Sequence, residues 1–168
     1  MGSTPNEQTR PSSNKVKIGD RAPDFTLTDQ KGQPVSLSSF ADKKDIVLYF
    51  YPKDFTSVCT AEACAFRDSY EVFKEVGAEV IGISSDSRQA HQAFASLYHL
   101  PFILLSDRGG NVRNRYGVSP VLGLLPGRVT FIIDKHGIVR HIFTAQFAAG
   151  KHVEEALRIL QRLREEHE

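Results

Sequence analysis

The chain has 168 residues, 40% apolar and 24% charged, which suits a single globular domain able to bury a core without a metal or a disulfide staple. Its 21 Lys and Arg against 20 Asp and Glu leave a formal charge of +1, with no electrostatic case for nucleic acid or an anionic membrane. No apolar run approaches the ~18–20 residues that cross a bilayer, so no membrane span is expected.

Residues 1–14 carry no Leu, Ile, Val or Phe and so lack a secretory core. They read as a solvated, disordered tail ahead of one domain over residues 15–168. With no address signal visible, the cytoplasm is the default compartment. Residues 25–27 and 35–37 predict two short strands around a turn. Residues 46–51, Ile-Val-Leu-Tyr-Phe-Tyr, form a continuous apolar run, the mark of a central strand buried on both faces. Pro52 ends it, because proline cannot donate to a ladder.

A helix is predicted over residues 58–76, with Ala63, Phe66, Tyr70 and Phe73 on one face and Gly77 as its stop. Residues 80–83 predict a second buried strand. Ser85, Asp86 and Ser87 offer an N-cap for a helix carrying Ala90, Ala93, Phe94, Leu97 and Tyr98. A short strand at 102–105 and a short helix at 112–116 follow. A hairpin is expected from strands 129–133 and 138–143. A last helix over 151–166 presents Val153, Ala156, Leu157, Leu160 and Leu163. This order predicts an α/β fold with a central mixed sheet and helices on both faces, compatible with a thioredoxin-like architecture.

The chemistry gathers where the central strand gives way to the first long helix. Cys59 sits at that junction, where free amide groups and the positive end of the helix dipole favour a thiolate over a thiol. A thiolate there can attack an O–O bond and become a sulfenic acid. Thr56 has a hydroxyl able to donate to a bound peroxide or to the thiolate. Pro52 walls one side of the pocket. A cation is also wanted, and Arg128, opening the predicted strand at 129, is preferred over Lys53 and Arg67.

Cys64, the second of only two cysteines, lies five positions on. If both are helical, their Cα atoms stand about 8.6 Å apart. A disulfide requires roughly 4.4–6.8 Å, so joining them would require the first turns to unwind. Each residue taken singly has a plainer reading. Cys64 can be packing, Thr56 an N-cap, Arg128 a surface strand residue and Glu62 a dipole partner in the first turn. The six histidines show no ligand spacing with the cysteines, so no zinc site is expected.

Taken together, the segment Tyr49-Phe50-Tyr51-Pro52-Lys53-Asp54-Phe55-Thr56-Ser57-Val58-Cys59-Thr60 resembles the active-site motif of the peroxiredoxins, Pro-x-x-x-Thr-x-x-Cys. Ala63-Cys64-Ala65-Phe66-Arg67-Asp68 resembles the peroxiredoxin Q, or bacterioferritin comigratory protein, subfamily. The likeness runs on through Gly82-Ile83-Ser84, Leu104-Leu105-Ser106-Asp107 and Pro126-Gly127-Arg128. It implies a thioredoxin-like fold and a thiol peroxidase acting on hydrogen peroxide and alkyl hydroperoxides. It further implies Cys59 as peroxidatic and Cys64 as resolving residue, joined in an intramolecular disulfide. Thr56 and Arg128 would activate the substrate. Thioredoxin or a similar dithiol protein would be the reductant, with no bound cofactor.

Resolution within one chain needs no second subunit, so a monomer is expected. The wording is closest to plastid and cyanobacterial members, which gives the plastid stroma or thylakoid as the alternative compartment. The rival readings are a thiol–disulfide oxidoreductase, whose usual Cys-x-x-Cys is absent, and a redox sensor or holdase. One departure stands out: Ser57-Val58 replaces the Pro-Gly common before the peroxidatic cysteine. The stiff, β-branched valine is expected to alter the kinetics of unwinding.

Overall fold

The computed structural model describes residues 16–118, 128–144 and 149–166. The tail expected over residues 1–14 lies outside them. The described strands are β1 (Thr26–Asp29), β2 (Pro34–Ser36), β3 (Asp45–Phe50), β4 (Ala78–Ser84), β5 (Ile103–Ser106), β6 (Val129–Ile133) and β7 (Val139–Thr144). They form one seven-stranded sheet in the order β2-β1-β5-β4-β3-β6-β7. β3, β4 and β5 are parallel, while β1, β2, β6 and β7 run antiparallel to their neighbours. This is the mixed sheet of the thioredoxin-like architecture that the element order predicts.

Side-chain alternation along β3 divides the core in two. Val47, Tyr49 and Tyr51 face one cluster, and Ile46, Leu48 and Phe50 face the other. Both clusters are closed, which explains the uninterrupted apolar run. The helices α1 (Ser57–Asp68), α2 (Tyr70–Glu75), α3 (Arg88–Tyr98) and α5 (Ala149–Glu166) contribute Phe66, Phe73, Phe94 and Leu160 to the first cluster. The crossovers β3-to-β4 and β4-to-β5 step in the same direction along the sheet. Right-handed connections therefore set their helices on a common face. The opposite face is covered by the 3-10 turn Leu37–Phe40 and by α4 (Asn111–Arg115). Helices thus flank both faces, but unequally.

Two expectations need correction. The helix predicted over 58–76 breaks at Ser69, whose backbone (φ −103°, ψ 5°) leaves the helical region. The break turns α2 so that Phe73 packs with Val80 and Ala78. On α3 the inward residues are His91 and Phe94, whereas Leu97 is 60% exposed. Ser87 caps that helix as predicted, accepting from the Ala90 amide at 3.1 Å.

Gly82 is the position on which the first cluster closes. It pairs in parallel register with Tyr49, whose ring stacks on Phe66 of α1 at 4.6 Å between centroids. A Cβ on Gly82 would meet the Tyr49 ring at 2.7 Å, inside van der Waals contact. Gly82→Ala is therefore expected to displace the Tyr49–Phe66 stack and cost about 1–3 kcal/mol in urea unfolding. A variant as stable as the parent would show that the ring has room to move.

Candidate active site

β3 delivers the chain into a loop, residues 51–56, that is pinned on several sides. The Tyr51 hydroxyl donates to Asp54 Oδ1 at 2.6 Å, and His91 Nδ1 lies 2.6 Å from Asp54 Oδ2. His91 Nε2 reaches the Leu105 carbonyl at 3.0 Å. The Asp54 amide donates to Asp86 Oδ2 at 2.9 Å, which also takes the Ser84 hydroxyl at 2.6 Å. The loop is thus tied to β4, β5 and α3. Phe55 turns it into the helix with φ of +66°, a conformation unfavourable for a bulky residue, and packs edge-on against Phe94 at 5.1 Å.

Asp54, Asp86 and His91 bring their ligand atoms within 4.8 Å of one another, the spacing of a metal site. Their oxygen and nitrogen atoms are already engaged with Tyr51, Ser84, the Leu105 carbonyl and each other. The group is accounted for as the clamp on the loop.

Thr56 is the N-cap residue of α1, yet its side chain caps nothing. Its hydroxyl donates to the Lys53 carbonyl at 2.7 Å. The proton expected to serve a peroxide or the thiolate is committed there, so Thr56 presents an acceptor outward. The first bond of the helix runs from the Thr60 amide to the Thr56 carbonyl at 2.8 Å. Ser57, Val58 and Cys59 therefore precede any partner one turn back, and their amides carry the positive end of the dipole.

Cys59 is buried at 2% exposure, on the same face of α1 as Glu62, Ala63 and Phe66. Arg128 immediately precedes β6, and alternation places it on the sheet face that carries Thr130 and Ile132, toward α1 and α5. Its Nη2 donates to Cys59 Sγ at 3.1 Å, and its Nη1 donates to Glu62 Oε1 at 2.6 Å. One planar cation thus holds the sulfur and a carboxylate together. Glu62 is wholly buried, and burial raises its carboxyl to about 7, with Arg128 pulling the other way. Glu62 was read from sequence as a first-turn dipole partner; the structure makes it part of the site.

Cys64 is part-exposed in the same helix, and both cysteines are free thiols. Pro52 is partly buried in the pinned loop, beside Tyr51. Of the other cations considered, Arg67 donates to the Tyr98 carbonyl at 2.8 Å and pairs with Asp68, away from the sulfur. Lys53 is exposed. A pocket of about 150 Å³ opens elsewhere, between the 3-10 turn and the β6–β7 turn, and none of these residues lines it. No described helix is long and apolar enough to cross a membrane.

A buried sulfur at a helix start, held by a guanidinium, is the constellation of a thiol peroxidase. Comparisons with known proteins agree. The model of the AhpC/TSA family matches residues 18–142. The chloroplastic peroxiredoxin Q of Sedum lineare is 55% identical over 151 residues, covering 89% of this chain and 81% of that protein. The crystal structure of the peroxidoxin BcpB from Mycobacterium tuberculosis superposes with a TM-score of 0.81 at 39% identity, over 88% of this chain and 97% of that one. A Xanthomonas campestris bacterioferritin comigratory protein, described for its alkyl peroxide reduction activity, gives a TM-score of 0.78 at 26% identity, over 89% and 98% of the two chains. The chain belongs to the peroxiredoxins of the AhpC/TSA family, in the peroxiredoxin Q subfamily, and is a peroxidase.

Arg128→Met is expected to leave Glu62 buried without its cation, costing about 3–5 kcal/mol of stability. It should also slow the reaction with peroxide by about a hundred- to a thousandfold. Arg128→Lys keeps the charge but not the two-pronged geometry and should fall between. Stopped-flow peroxide reduction on folded protein decides this, and a wild-type rate in Arg128→Met would remove the guanidinium from the site.

Proposed function

We propose that Cys59 is the peroxidatic residue and that Cys64 resolves it within the same chain. The Cys59 thiolate attacks one peroxide oxygen. The S–O bond forms as O–O breaks, and the departing oxygen leaves as water or alcohol after taking a proton. The observation that carries this reading is the Arg128 guanidinium at 3.1 Å from Cys59 Sγ, at the open amino end of α1. A cation in that place favours the anionic sulfur and meets the charge developing on the leaving oxygen. Thr56, its own proton given to the Lys53 carbonyl, accepts a hydrogen bond from the bound hydroperoxide, and Pro52 limits access of water.

Cys64 then attacks the sulfenic sulfur, expelling its oxygen as water and leaving a Cys59–Cys64 disulfide. Both cysteines lie within α1, so their ideal separation of about 8.6 Å must shrink below ~7 Å. The first turns of the helix unwind to allow it. A dithiol protein of the thioredoxin type reduces the disulfide by exchange. Hydrogen peroxide and alkyl hydroperoxides are the substrates; the Xanthomonas relative's alkyl peroxide activity supports the second class. The chain acts as a monomer. Its chloroplastic relatives support a plastid over the cytoplasm first expected.

One equivalent of peroxide should remove two hydrogens from the intact mass without forming a dimer. Cys64→Ser should gain one oxygen, complete a single turnover and stall with thioredoxin present. Continued thioredoxin-driven turnover by Cys64→Ser would contradict the cycle. So would inert wild-type thiols, while a wild type that is oxidised but does not turn over with thioredoxin would favour a sensor or holdase.

A further inference from the structure

Glu62 lies between the two cysteines in sequence and is wholly buried. Its Oε1 accepts from Arg128, but its buried Oε2 has no hydrogen-bond partner. His152 of α5 faces Oε2, its Nδ1 standing 3.5 Å away. That nitrogen is itself 2.6 Å from the Thr130 hydroxyl on β6. His152 is also wholly buried, with its ring edge-on to Phe143 at 4.7 Å. A carboxyl half-satisfied inside a protein is costly as an anion. The proposed cycle assigns no role to this pairing, and simple packing would be served better by an apolar side chain.

We propose that Glu62, seated between Arg128 and His152, is the latch of helix α1, and that Cys64 reaches Cys59 only when this carboxyl leaves its buried seat. The proposal rests on intramolecular resolution as set out above. Unwinding residues 59–64 must move Glu62, whereas Arg128, just before β6, and His152, on α5, lie outside the unwinding segment. Arg128 grips Cys59 and Glu62 with one guanidinium, so the sulfur and the latch are released together. Glu62 and His152 are positioning residues, acting through Arg128 and the helix backbone.

Release carries a proton with it. The groups facing Glu62 are Arg128 at the head of β6, His152 on α5, Cys59 on its own helix and Tyr49 on β3, whose hydroxyl burial keeps neutral. In the wound helix the Glu62 carboxyl is raised to about 7; in solvent it returns toward 4.5, losing its proton to water. A raised carboxyl favours the wound state fully below the solvent value and loses that advantage as pH climbs to the buried value. Unwinding is therefore favoured by rising pH between 4.5 and about 7 and is level above. The change across the window is on the order of a hundredfold.

The test follows disulfide closure of preformed Cys59 sulfenic acid in rapid quench, in full-length wild type and in Glu62→Gln. The ratio of the two rates cancels the ionisation of Cys64 itself. It is expected to climb about a hundredfold from pH 4.5 to about 7 and then flatten. His152→Gln, which keeps Glu62, is expected to close severalfold faster than wild type. A pH-independent ratio, or unchanged closure in His152→Gln if Glu62→Gln does not fold, overturns the latch while leaving the cycle intact. Failure of the wild type to form any disulfide overturns the cycle instead.

Discussion

The contact on which this site depends is the grip of one guanidinium on a sulfur and a carboxyl group of one helix. Arg128 would be an ordinary strand-end residue if it met only the sulfur. Because it also meets Glu62, the sheet holds α1 at two points, a turn apart. Buried ion pairs contribute little net stability once desolvation is counted. Their use here is geometric: the planar fork fixes where the sulfur stands relative to the Glu62 carboxyl. The aromatic stack of Tyr49 on Phe66 sets the height of the helix over the sheet, and Gly82 makes space for that stack.

Much of this was legible in the residues themselves. The apolar run through β3 announced a strand closed on both faces, and Cys59 announced itself by standing where that strand yields to a helix. Arg128 could be chosen over Lys53 and Arg67 because it opens a strand and carries a guanidinium that stays charged and presents planar donors. Glu62 was discounted as a first-turn dipole partner, whereas it stands in the second turn of α1. Its burial was nonetheless encoded: Cys59, Glu62, Ala63 and Phe66 are spaced 3, 1 and 3, so extending the apolar face back one turn encloses it. His91 was hidden in the same way. It shares a face with Phe94 and Tyr98, but a polar residue is left out when only apolar positions are counted.

Other features had no local signature. The left-handed backbone at Phe55 is held by the clamp around Asp54 and by Phe94, all distant in sequence. The break at Ser69 follows from fitting Phe73 under β4, and neither glycine nor proline marks it. The uneven sharing of helices between the two faces emerges from strand order, a property of the assembled sheet.

The clamp that Asp86 and His91 form with Tyr51 and Asp54 holds the chain upstream of Thr56, and α1 begins just beyond it. If α1 unwinds as proposed, the chain on its amino side stays bolted to the sheet. Slack can be taken up in one direction only, like a rope let out from a fixed cleat. In the proposed cycle Pro52 and Thr56, on the held side, keep their places from one round to the next, and rewinding begins from a template already in place.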